Sequence, residues 1–383
     1  MKITDTIINV GVTDRLTDLF EGQYLVPDGI RYNSYVIRGE KTAVIDSVDS
    51  RFSDEWLNNI ERELGGISPD YLVIQHMEPD HSGSIAAFTE KYKDAKLVSS
   101  AKAYVMMKNF YGIIPSEGWL TVGEGDVLSL GSRDLTFVTA PMVHWPEVIV
   151  TYDNLDKVLF SADGFGSFGS GDASEAWDDE ARRYYIGIVG KYGLPVTNLL
   201  KKASKLDISV IAPLHGPILT GDLSHYLSLY TAWASYTPED RGVVIAYASI
   251  YGNTKKAAEA LRDDLTARGE KVAIYDLARC DKHKAVADAF RYDRLVLAAA
   301  SYNADVFPPM REFINKLTER GFCRRTVGII QNGSWAPSAA KVMRALLEGA
   351  KDVTFTECEV TVTSALTNIT RGDITRLADE LCK

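Results

Sequence analysis

Cysteine is scarce in this chain, which has only four among 383 residues. All four lie in the last third, and no two of them have C-x-x-C spacing. They are Cys280, Cys323, Cys358 and Cys382. This pattern excludes a zinc knuckle, a rubredoxin-type iron site and a disulfide framework. A reducing compartment suits such a chain, so we expect it to be cytoplasmic.

Long apolar runs are also lacking. No run approaches the ~20 residues that a membrane helix needs, and residues 1–5 lack the apolar core of a signal peptide. The hydrophobic content of 46% and the charged content of 25% are ordinary for a globular protein. We therefore expect no association with a membrane.

The chain is long for one domain, and the clearest boundary lies near residues 236–242. Pro and Gly flank a charged step there, directly before a strand-like run. Residues 1–240 carry a net charge of −14, whereas residues 241–383 carry +4. We expect these opposite charges to face each other, within or between chains. No clustered basic stripe of the kind that nucleic acids require is present.

The two parts differ in their periodicity. Residues 1–240 show many short strands, with helical periodicity at 53–64, 84–93 and 174–191, which predicts a two-sheet sandwich covered by helices. From residue 243 onwards strands alternate with helices, which predicts a doubly wound parallel sheet. The predicted fold class is therefore α/β, with two domains.

Histidine is nearly as scarce as cysteine, and two of the six histidines fall in His76-Met77-Glu78-Pro79-Asp80-His81. This stretch follows the apolar residues 71–74. Charged groups are rarely buried unless they are paired or bind a metal. On an extended segment, His76, Glu78 and Asp80 would point the same way, with His81 to the side. Such an arrangement can serve two metal ions.

His144, Asp163 and His215 each stand at or just past the end of another apolar run. Sites gather at strand ends, where the sheet is rigid and the loops carry chemistry. A single strand-end histidine is ordinarily structural, but seven residues in this recurring context favour a two-metal site. His225 and His283 do not stand at the end of an apolar run, and we expect them to be ordinary surface or core histidines. Carboxylate and imidazole ligands without thiolate suit iron, although affinity alone does not exclude zinc.

A hydroxyl-rich loop with one glycine joins the strand predicted at 243–248 to a helix from about 255 to 268. A helix N-terminus with such a loop is a ready anion site, and a simple N-cap is the alternative. The loop consists of Ser249, Ile250, Tyr251, Gly252, Asn253 and Thr254.

The H-x-E-x-D-H stretch with its later His, Asp and His resembles the metallo-β-lactamase fold, in particular its flavodiiron branch. Hydrolase members carry His where this chain has Glu78. The resemblance implies two irons that share one bridging carboxylate. His76, Glu78 and His144 would hold one iron, Asp80, His81 and His215 the other, and Asp163 would bridge them. The residue matching His81 is a ligand in only some members.

The loop at 249–254 resembles the S/T-x-T/Y-G-N-T phosphate loop of flavodoxins, and two later loops match the same family. They contain Ser301, Tyr302, Asn303, Ala304 and Asp305, and then Asn332, Gly333, Ser334 and Trp335. In the resemblance these loops hold the ring of FMN, and Tyr302 and Trp335 are candidates to stack near it. The net charge of +4 departs from free flavodoxins, which are usually acidic.

Taken together, the chain resembles flavodiiron proteins over nearly its whole length. The implied fold is a metallo-β-lactamase-like αβ/βα sandwich at 1–240, followed by a flavodoxin-like doubly wound sheet at 241–383. The resemblance implies FMN, two non-haem irons, and reduction of dioxygen to water or of nitric oxide to nitrous oxide. The electron donor would be a separate rubredoxin-type protein or a reduced deazaflavin. The assembly would be a head-to-tail homodimer or a dimer of dimers.

Other interpretations remain open at this stage. Trp145 and Phe165, close to His144 and Asp163, would line a pocket for a diatomic gas or serve as ordinary core. A zinc-dependent hydrolase fused to a flavodoxin-like module is the main alternative function, against which Glu78 and the flavin loops argue. A pure electron carrier without metals is a third, against which the complete set of seven candidate ligands argues.

Overall fold

A computed structural model describes residues 1–112, 118–171 and 177–383. The chain divides into two compact units, Met1–Thr231 and Ala232–Lys383. The domain boundary expected between residues 240 and 241 stays a prediction.

Short strands dominate the described part of the first unit. They are β1 (Ile7–Asn9), β2 (Val12–Asp14), β3 (Leu19–Phe20), β4 (Tyr24–Leu25), β5 (Ile30–Tyr32), β6 (Tyr35–Arg38), β7 (Thr42–Ile45), β8 (Tyr71–Val73), β9 (Lys96–Ser99), β10 (Trp119–Thr121), β11 (Val127–Ser129), β12 (Asp134–Thr139), β13 (Ile149–Asp153), β14 (Val158–Phe160) and β15 (Val210–Ala212). The α-helices are α1 (Ser53–Leu64), α2 (Pro79–Ser82), α3 (Ile85–Lys91), α4 (Ala101–Tyr111), α5 (Trp177–Tyr184), α6 (Gly193–Ala203) and α7 (Ser224–Ala234).

Two sheets form the sandwich predicted for this unit. One has the strand order β1-β6-β7-β8-β9-β10 and the other β11-β12-β13-β14-β15. Residues from the facing sides, such as Ile45 and Val73 of one sheet and Phe137 and Phe160 of the other, share one buried core. The alternate residues of the first sheet, such as Leu72, pack in a second core that includes helical side chains. The αβ/βα layering predicted from the sequence is confirmed.

Helix α1 shows why the local prediction succeeds. Its bounds, Ser53–Leu64, match the predicted range 53–64, because the apolar side chains Trp56, Leu57 and Ile60 recur at helical spacing and are buried. The helix ends at Gly65, whose φ of 61° allows its N–H to bond to the carbonyl of Glu61.

The other two predicted helices differ from their expected bounds. The range 84–93 shortens to Ile85–Lys91. The range 174–191 begins outside the described residues, and from residue 177 it is interrupted. Helix α5 passes into a π turn at Tyr185–Val189 and then into a 3-10 turn at Gly190–Tyr192. Sequence periodicity alone does not distinguish these helix types.

The second unit alternates strands and helices. Its strands are β16 (Asp240–Ala248), β17 (Val272–Asp276), β18 (Tyr292–Tyr302), β19 (Asp305–Val306), β20 (Thr326–Asn332) and β21 (Thr354–Val362). Its helices are α8 (Asn253–Ala267), α9 (Lys282–Arg291), α10 (Pro308–Glu319), α11 (Ala339–Leu346) and α12 (Asn368–Leu381). The main sheet has the order β17-β16-β18-β20-β21.

All neighbouring strands of that main sheet run parallel, and β19 adds an antiparallel pair to β18. Val243 and Ile245 pack with Leu261 of α8 and Leu377 of α12 on one face. The doubly wound sheet is confirmed. Its carboxyl-terminal edge, after β16, β18 and β20, is where such sheets bind ligands.

In the part of the chain that the structure describes, no helix has both the length and the apolar character needed to cross a membrane.

Candidate metal centre and flavin pocket

The seven predicted metal ligands come together at one edge of the first unit. His76 and Glu78 follow β8, and His144 lies between β12 and β13. Asp163 follows β14, and His215 follows β15. Each apolar strand anchors its end in the core, so the polar residue that comes next is held in place at the rim.

The local geometry at 76–81 differs from the predicted extended segment. The expectation fails after Glu78, because Pro79 starts the short helix α2 (Pro79–Ser82). Proline has the φ value of a first helical residue and no N–H to satisfy, so it favours a helix start. The helical turn carries Asp80 and His81 into a donor group separate from that of His76 and Glu78.

The first donor group contains His76, Glu78, His144 and Asp163. Glu78 Oε2 lies 3.2 Å from His76 Nε2 and 3.1 Å from His144 Nε2. Asp163 Oδ2 lies 3.4 Å from His76 Nε2 and 3.1 Å from His144 Nε2. Two imidazole nitrogens and two carboxylate oxygens therefore converge on one point.

The second donor group contains Asp80, His81 and His215. Asp80 Oδ2 lies 3.3 Å from Nε2 of both histidines, and the two Nε2 atoms are 2.9 Å apart. The other oxygen of Asp163, Oδ1, lies 3.3 Å from His81 Nε2. One carboxylate thus reaches both groups, as the resemblance implies, and the assignment of the seven residues as ligands stays a prediction.

These spacings fit two metal ions. Donor atoms about 2.1 Å from a common ion lie roughly 3.0 to 3.4 Å apart in octahedral or tetrahedral coordination. Both carboxylate oxygens of Asp80 and Oδ1 of Asp163 are buried and have no hydrogen-bond partner among the described residues. Buried carboxylates are costly unless they are compensated, and a cation would compensate them.

The charges of the cluster are strongly coupled. Burial lowers the pKa of His76, but Asp163, Glu147 and Glu78 outweigh it and hold that pKa well above its usual value. Burial raises the pKa of Asp163, but His76, His144 and His81 outweigh it and hold that pKa well below its usual value. Without a metal, protons on the imidazoles take the place of the cation.

His144 and Glu78 show the same balance. Burial lowers the pKa of His144, but its contacts with Asp163 and Glu78 raise that pKa to about 9. Burial raises the pKa of Glu78, but His144 and His76 bring it far below its usual value. Because a metal needs neutral imidazoles, binding of a metal must release protons.

Two buried carboxylates that support the cluster escaped the sequence analysis. Glu147 contacts the ring of His76, and Asp46 accepts from the backbone N–H of Gln75 at 2.7 Å and of His76 at 3.3 Å. Glu147 follows His144 by three residues and Asp46 follows an apolar strand, which are the only signals in the sequence. Neither signal separates a supporting carboxylate from a surface one.

Aromatic rings enclose the second donor group. The rings of Phe20, Tyr32 and Tyr184 lie 5.3 to 5.8 Å from the ring of His215. His215 Nδ1 bonds to the carbonyl of Arg31 at 2.8 Å. The ring orientation of His215 is therefore fixed by packing and by one hydrogen bond.

Trp145 and Phe165, the predicted lining residues, lie in different surroundings. The ring of Trp145 is 5.2 Å from that of His76 and covers one side of the first donor group. Phe165 is buried and stacks on Tyr230 at 4.0 Å. Its backbone N–H also donates to the hydroxyl of Tyr230 at 2.5 Å.

The two histidines that the sequence set aside lie outside the cluster. His225 is exposed and pairs with Asp178 at 2.8 Å. His283 is buried in α9, with Nε2 3.2 Å from Lys316 Nζ.

A cavity of about 790 Å³ opens at the carboxyl-terminal edge of the second unit's sheet. Thirteen of the fifteen predicted flavin residues line it. They are Ser249, Ile250, Tyr251, Asn253, Thr254, Ser301, Tyr302, Asn303, Ala304, Asn332, Gly333, Ser334 and Trp335. Ala300, Ala336, Pro337, Ser338 and Ser364 complete the lining.

Gly252 and Asp305 are not among the lining residues. Gly252 shapes the loop, since its φ of 87° is one that other residues rarely adopt, and its N–H bonds to Ser249 Oγ at 3.1 Å. The carboxylate of Asp305 instead pairs with Arg311, at 2.5 and 2.7 Å.

The cavity fits a flavin in size and chemistry. Its volume lies in the range of small-molecule sites. One end meets the first turn of α8, where backbone N–H groups suit a phosphate. Trp335 at the rim is 90% exposed, and Tyr302 is 45% exposed. Aromatic rings on which a planar ligand can stack therefore line the same cavity.

Comparison with known families agrees with the two-domain architecture. Residues 30–216 match the family model described as ODP family beta lactamase, and residues 245–367 match the flavodoxin family. A metallo-β-lactamase-type domain followed by a flavodoxin domain, with a two-group donor cluster in the first, defines the flavodiiron class of oxidoreductases.

Similar proteins match this chain over nearly its whole length. A nitric oxide reductase of Moorella thermoacetica is 30% identical over 364 residues, which are 92% of this chain and 90% of that protein. The rubredoxin:oxygen oxidoreductase of Desulfovibrio gigas superimposes with a TM-score of 0.91 at 26% identity, covering 100% of this chain and 97% of that one. The flavodiiron protein of Giardia intestinalis gives the same TM-score and identity over 100% and 95%.

The chain belongs to the flavodiiron family, and its cofactors are FMN and two non-haem irons. Since these relatives are reductases and oxidoreductases by name, the zinc-hydrolase alternative is not supported.

Proposed function

We propose that the protein reduces dioxygen to water, nitric oxide to nitrous oxide, or both, with electrons passed through FMN. The observation that carries this proposal is the donor cluster, in which two groups of buried imidazoles and carboxylates share Asp163. No thiolate takes part in the cluster, and the same chain forms a cavity of flavin size. The two sites together supply an electron entry and a reaction centre.

The protein's own residues define where the reaction takes place. His76, Glu78 and His144 would hold one metal, Asp80, His81 and His215 the other, and Asp163 would bridge them. When bound, the two irons supply the redox-active site for the gas, and FMN supplies single electrons. Dioxygen needs four electrons and four protons to form two waters, whereas two nitric oxides need two of each to form nitrous oxide and one water.

We further propose a head-to-tail homodimer, alone or as a dimer of dimers, in which the flavin of one chain serves the metals of its partner. Tyr251 and Trp335 at the flavin cavity are 93% and 90% exposed. In the first unit, a groove that includes Glu78 and Asp80 is bordered by Leu19, which is 39% exposed. The opposite net charges of the two parts favour such a contact.

The electron donor in this proposal is a separate molecule, a rubredoxin-type protein or a reduced deazaflavin. We place the enzyme in the cytoplasm, because the four cysteines are free and a reducing compartment keeps them so.

Rapid mixing of the anaerobically reduced, iron-loaded protein with each gas tests the proposal. Flavin absorbance is followed against dioxygen and, separately, against nitric oxide. Fast oxidation by one gas supports the reductase function and identifies the preferred substrate. The matched control is the same protein loaded with zinc, which keeps the charge of the site but has no redox chemistry.

Slow oxidation by both gases, in protein with full FMN and two irons, would contradict the proposal. Equal rates in the iron and zinc forms would contradict it as well, because the flavin alone would then be the reacting group.

A further inference from the structure

One buried carboxylate outside the seven candidate ligands touches a ligand ring. Glu147 is only 2% exposed, and its Oε1 lies 2.8 Å from His76 Nδ1. The same oxygen accepts the backbone N–H of Met77 at 2.9 Å. Ser100 Oγ donates to the carbonyl of Glu147 at 2.8 Å and so fixes its backbone.

This contact decides which nitrogen of His76 faces the donor group. A carboxylate can only accept, so Nδ1 of His76 carries the proton. When a metal binds, Nε2 would therefore be the nitrogen that presents its lone pair to the point shared with Glu78 and Asp163.

The two donor groups differ in what bonds to the Nδ1 atoms of their histidines. In the second group, Nδ1 of His215 bonds to a neutral acceptor, the carbonyl of Arg31, at 2.8 Å. Nδ1 of His81 is buried and has no hydrogen-bond partner among the described residues. A carboxylate raises the basicity of a ligand imidazole, and a neutral carbonyl carries no charge to do so.

The second carboxylate oxygen of Glu147 also bears on this difference between the two donor groups. Oε2 is buried and has no hydrogen-bond partner in the described ranges. The contacts of the carboxylate are therefore made by Oε1, to the ring of His76 and to the N–H of Met77. Apart from Asp163, each donor group has two histidines and one carboxylate. The groups differ in that a carboxylate outside the ligand set, Glu147, bonds to a histidine ring of the first group.

We propose that Glu147 is a positioning residue that fixes the His76 tautomer and makes the metal position of His76 the more electron-rich of the two. This inference rests on the proposed function, since it requires iron at both donor groups. The electron-rich position favours the higher oxidation state. In the half-reduced enzyme, the ferric ion would therefore lie beside His76 and the ferrous ion beside His81 and His215.

The test compares Glu147→Gln with the unchanged enzyme, both loaded with FMN and isotope-enriched iron. An amide oxygen can accept the same two hydrogen bonds, so the variant removes charge and keeps the shape. We expect the Mössbauer signal of the ferric ion in the half-reduced state to change, with the ferrous signal and the flavin potential unchanged. Glu147→Ala, which also loses the hydrogen bond, should bind one iron about 10- to 100-fold more weakly.

Asp46→Asn is the matched control. Asp46 is also a buried carboxylate, but the hydrogen bonds found for it come from the N–H groups of Gln75 and His76 and from the side-chain amide of Gln75, not from a ring. The same spectral change in Asp46→Asn would overturn the inference, because any nearby charge would then be sufficient. An unchanged spectrum in Glu147→Gln, or a change in the ferrous signal, would also overturn it.

A measurement on the unchanged protein covers the case in which Glu147→Gln does not fold. Nitrogen NMR of the zinc-loaded full chain should show His76 with a protonated, strongly hydrogen-bonded Nδ1. A bare or metal-bound Nδ1 would overturn the inference. An unchanged enzyme that fails to bind two irons would instead contradict the proposed function.

Discussion

The metal cluster and the flavin pocket are built in opposite ways. The metal cluster consists of rare, charged side chains that are almost fully enclosed, with His76, His81, Asp163 and His215 all 0% exposed. The flavin pocket is an open cavity lined by common residues and by backbone, with Trp335 90% exposed at its rim. A small ion requires fixed charges at short distances, whereas a large planar cofactor requires shape and a few polar contacts.

The largest expected effect comes from a substitution that disrupts the metal cluster and leaves the flavin pocket unchanged. Asp163→Ala removes the carboxylate that reaches both donor groups and leaves four imidazoles and two carboxylates without it. We expect loss of bound iron and a fall in gas reduction of more than about 100-fold, above the range for supporting residues. Metal analysis and flavin absorbance measure both sites in one sample.

The flavin content of this variant is its internal control. FMN should stay fully bound, because no predicted flavin residue is changed. Unchanged turnover in Asp163→Ala would contradict the role of the cluster.

A second prediction concerns pH and the metal-free protein. The pKa of His144 lies at about 9 in the folded state, above its usual 6.5, and that of buried Asp46 at about 6, above its usual 3.8. A group whose folded pKa is raised stabilises the folded state at low pH and loses that contribution as the pH rises through the folded pKa. We expect unfolding free energy to fall by roughly 3 kcal/mol between pH 6.5 and 9 from His144 alone.

Calorimetry of the metal-free and iron-loaded proteins checks this trend. The iron-loaded protein should behave in the opposite way, because metal affinity rises as the imidazoles lose their protons. Parallel pH profiles for the two forms would show that the cluster does not bind the metal.

The smallest expected effect lies at the flavin pocket. Trp335→Ala removes an exposed ring that can stack on the flavin, a contact worth about 0.5 to 1.5 kcal/mol. FMN affinity should therefore fall only about 2- to 10-fold. Flavin fluorescence titration measures the change, and iron content should not respond.

Ile369→Ala is a matched control, because Ile369 is 81% exposed in the same unit but does not line the cavity. Equal losses of FMN affinity in the two variants would show that the rim of the cavity makes no specific contact.

The same contrast explains what could be read from the sequence. The residues that meet in the two donor groups could be singled out one by one, because histidines and carboxylates at strand ends are rare and chemically specific. The flavin loops could be predicted as segments, but Asp305 within them turns to Arg311, since a generic polar residue does not reveal its partner. Glu147 and Asp46 could not be predicted, because their role depends on contacts between residues distant in the chain.

The bounds of a helix could be predicted where the spacing of apolar residues alone determines them. Helix α1 matches its predicted bounds, whereas Pro79 turned an expected extended segment into the helical turn that separates Asp80 and His81 from Glu78. The π turn at Tyr185–Val189 has no periodicity that distinguishes it from an ordinary helix.

The most direct test of the account is a crystal structure of the iron-loaded protein with anomalous diffraction at the iron edge. The account predicts two iron peaks, one within the group of His76, Glu78 and His144 and one within that of Asp80, His81 and His215. Asp163 should lie between them with one oxygen on each. A single peak, or two peaks that do not share Asp163, would contradict it.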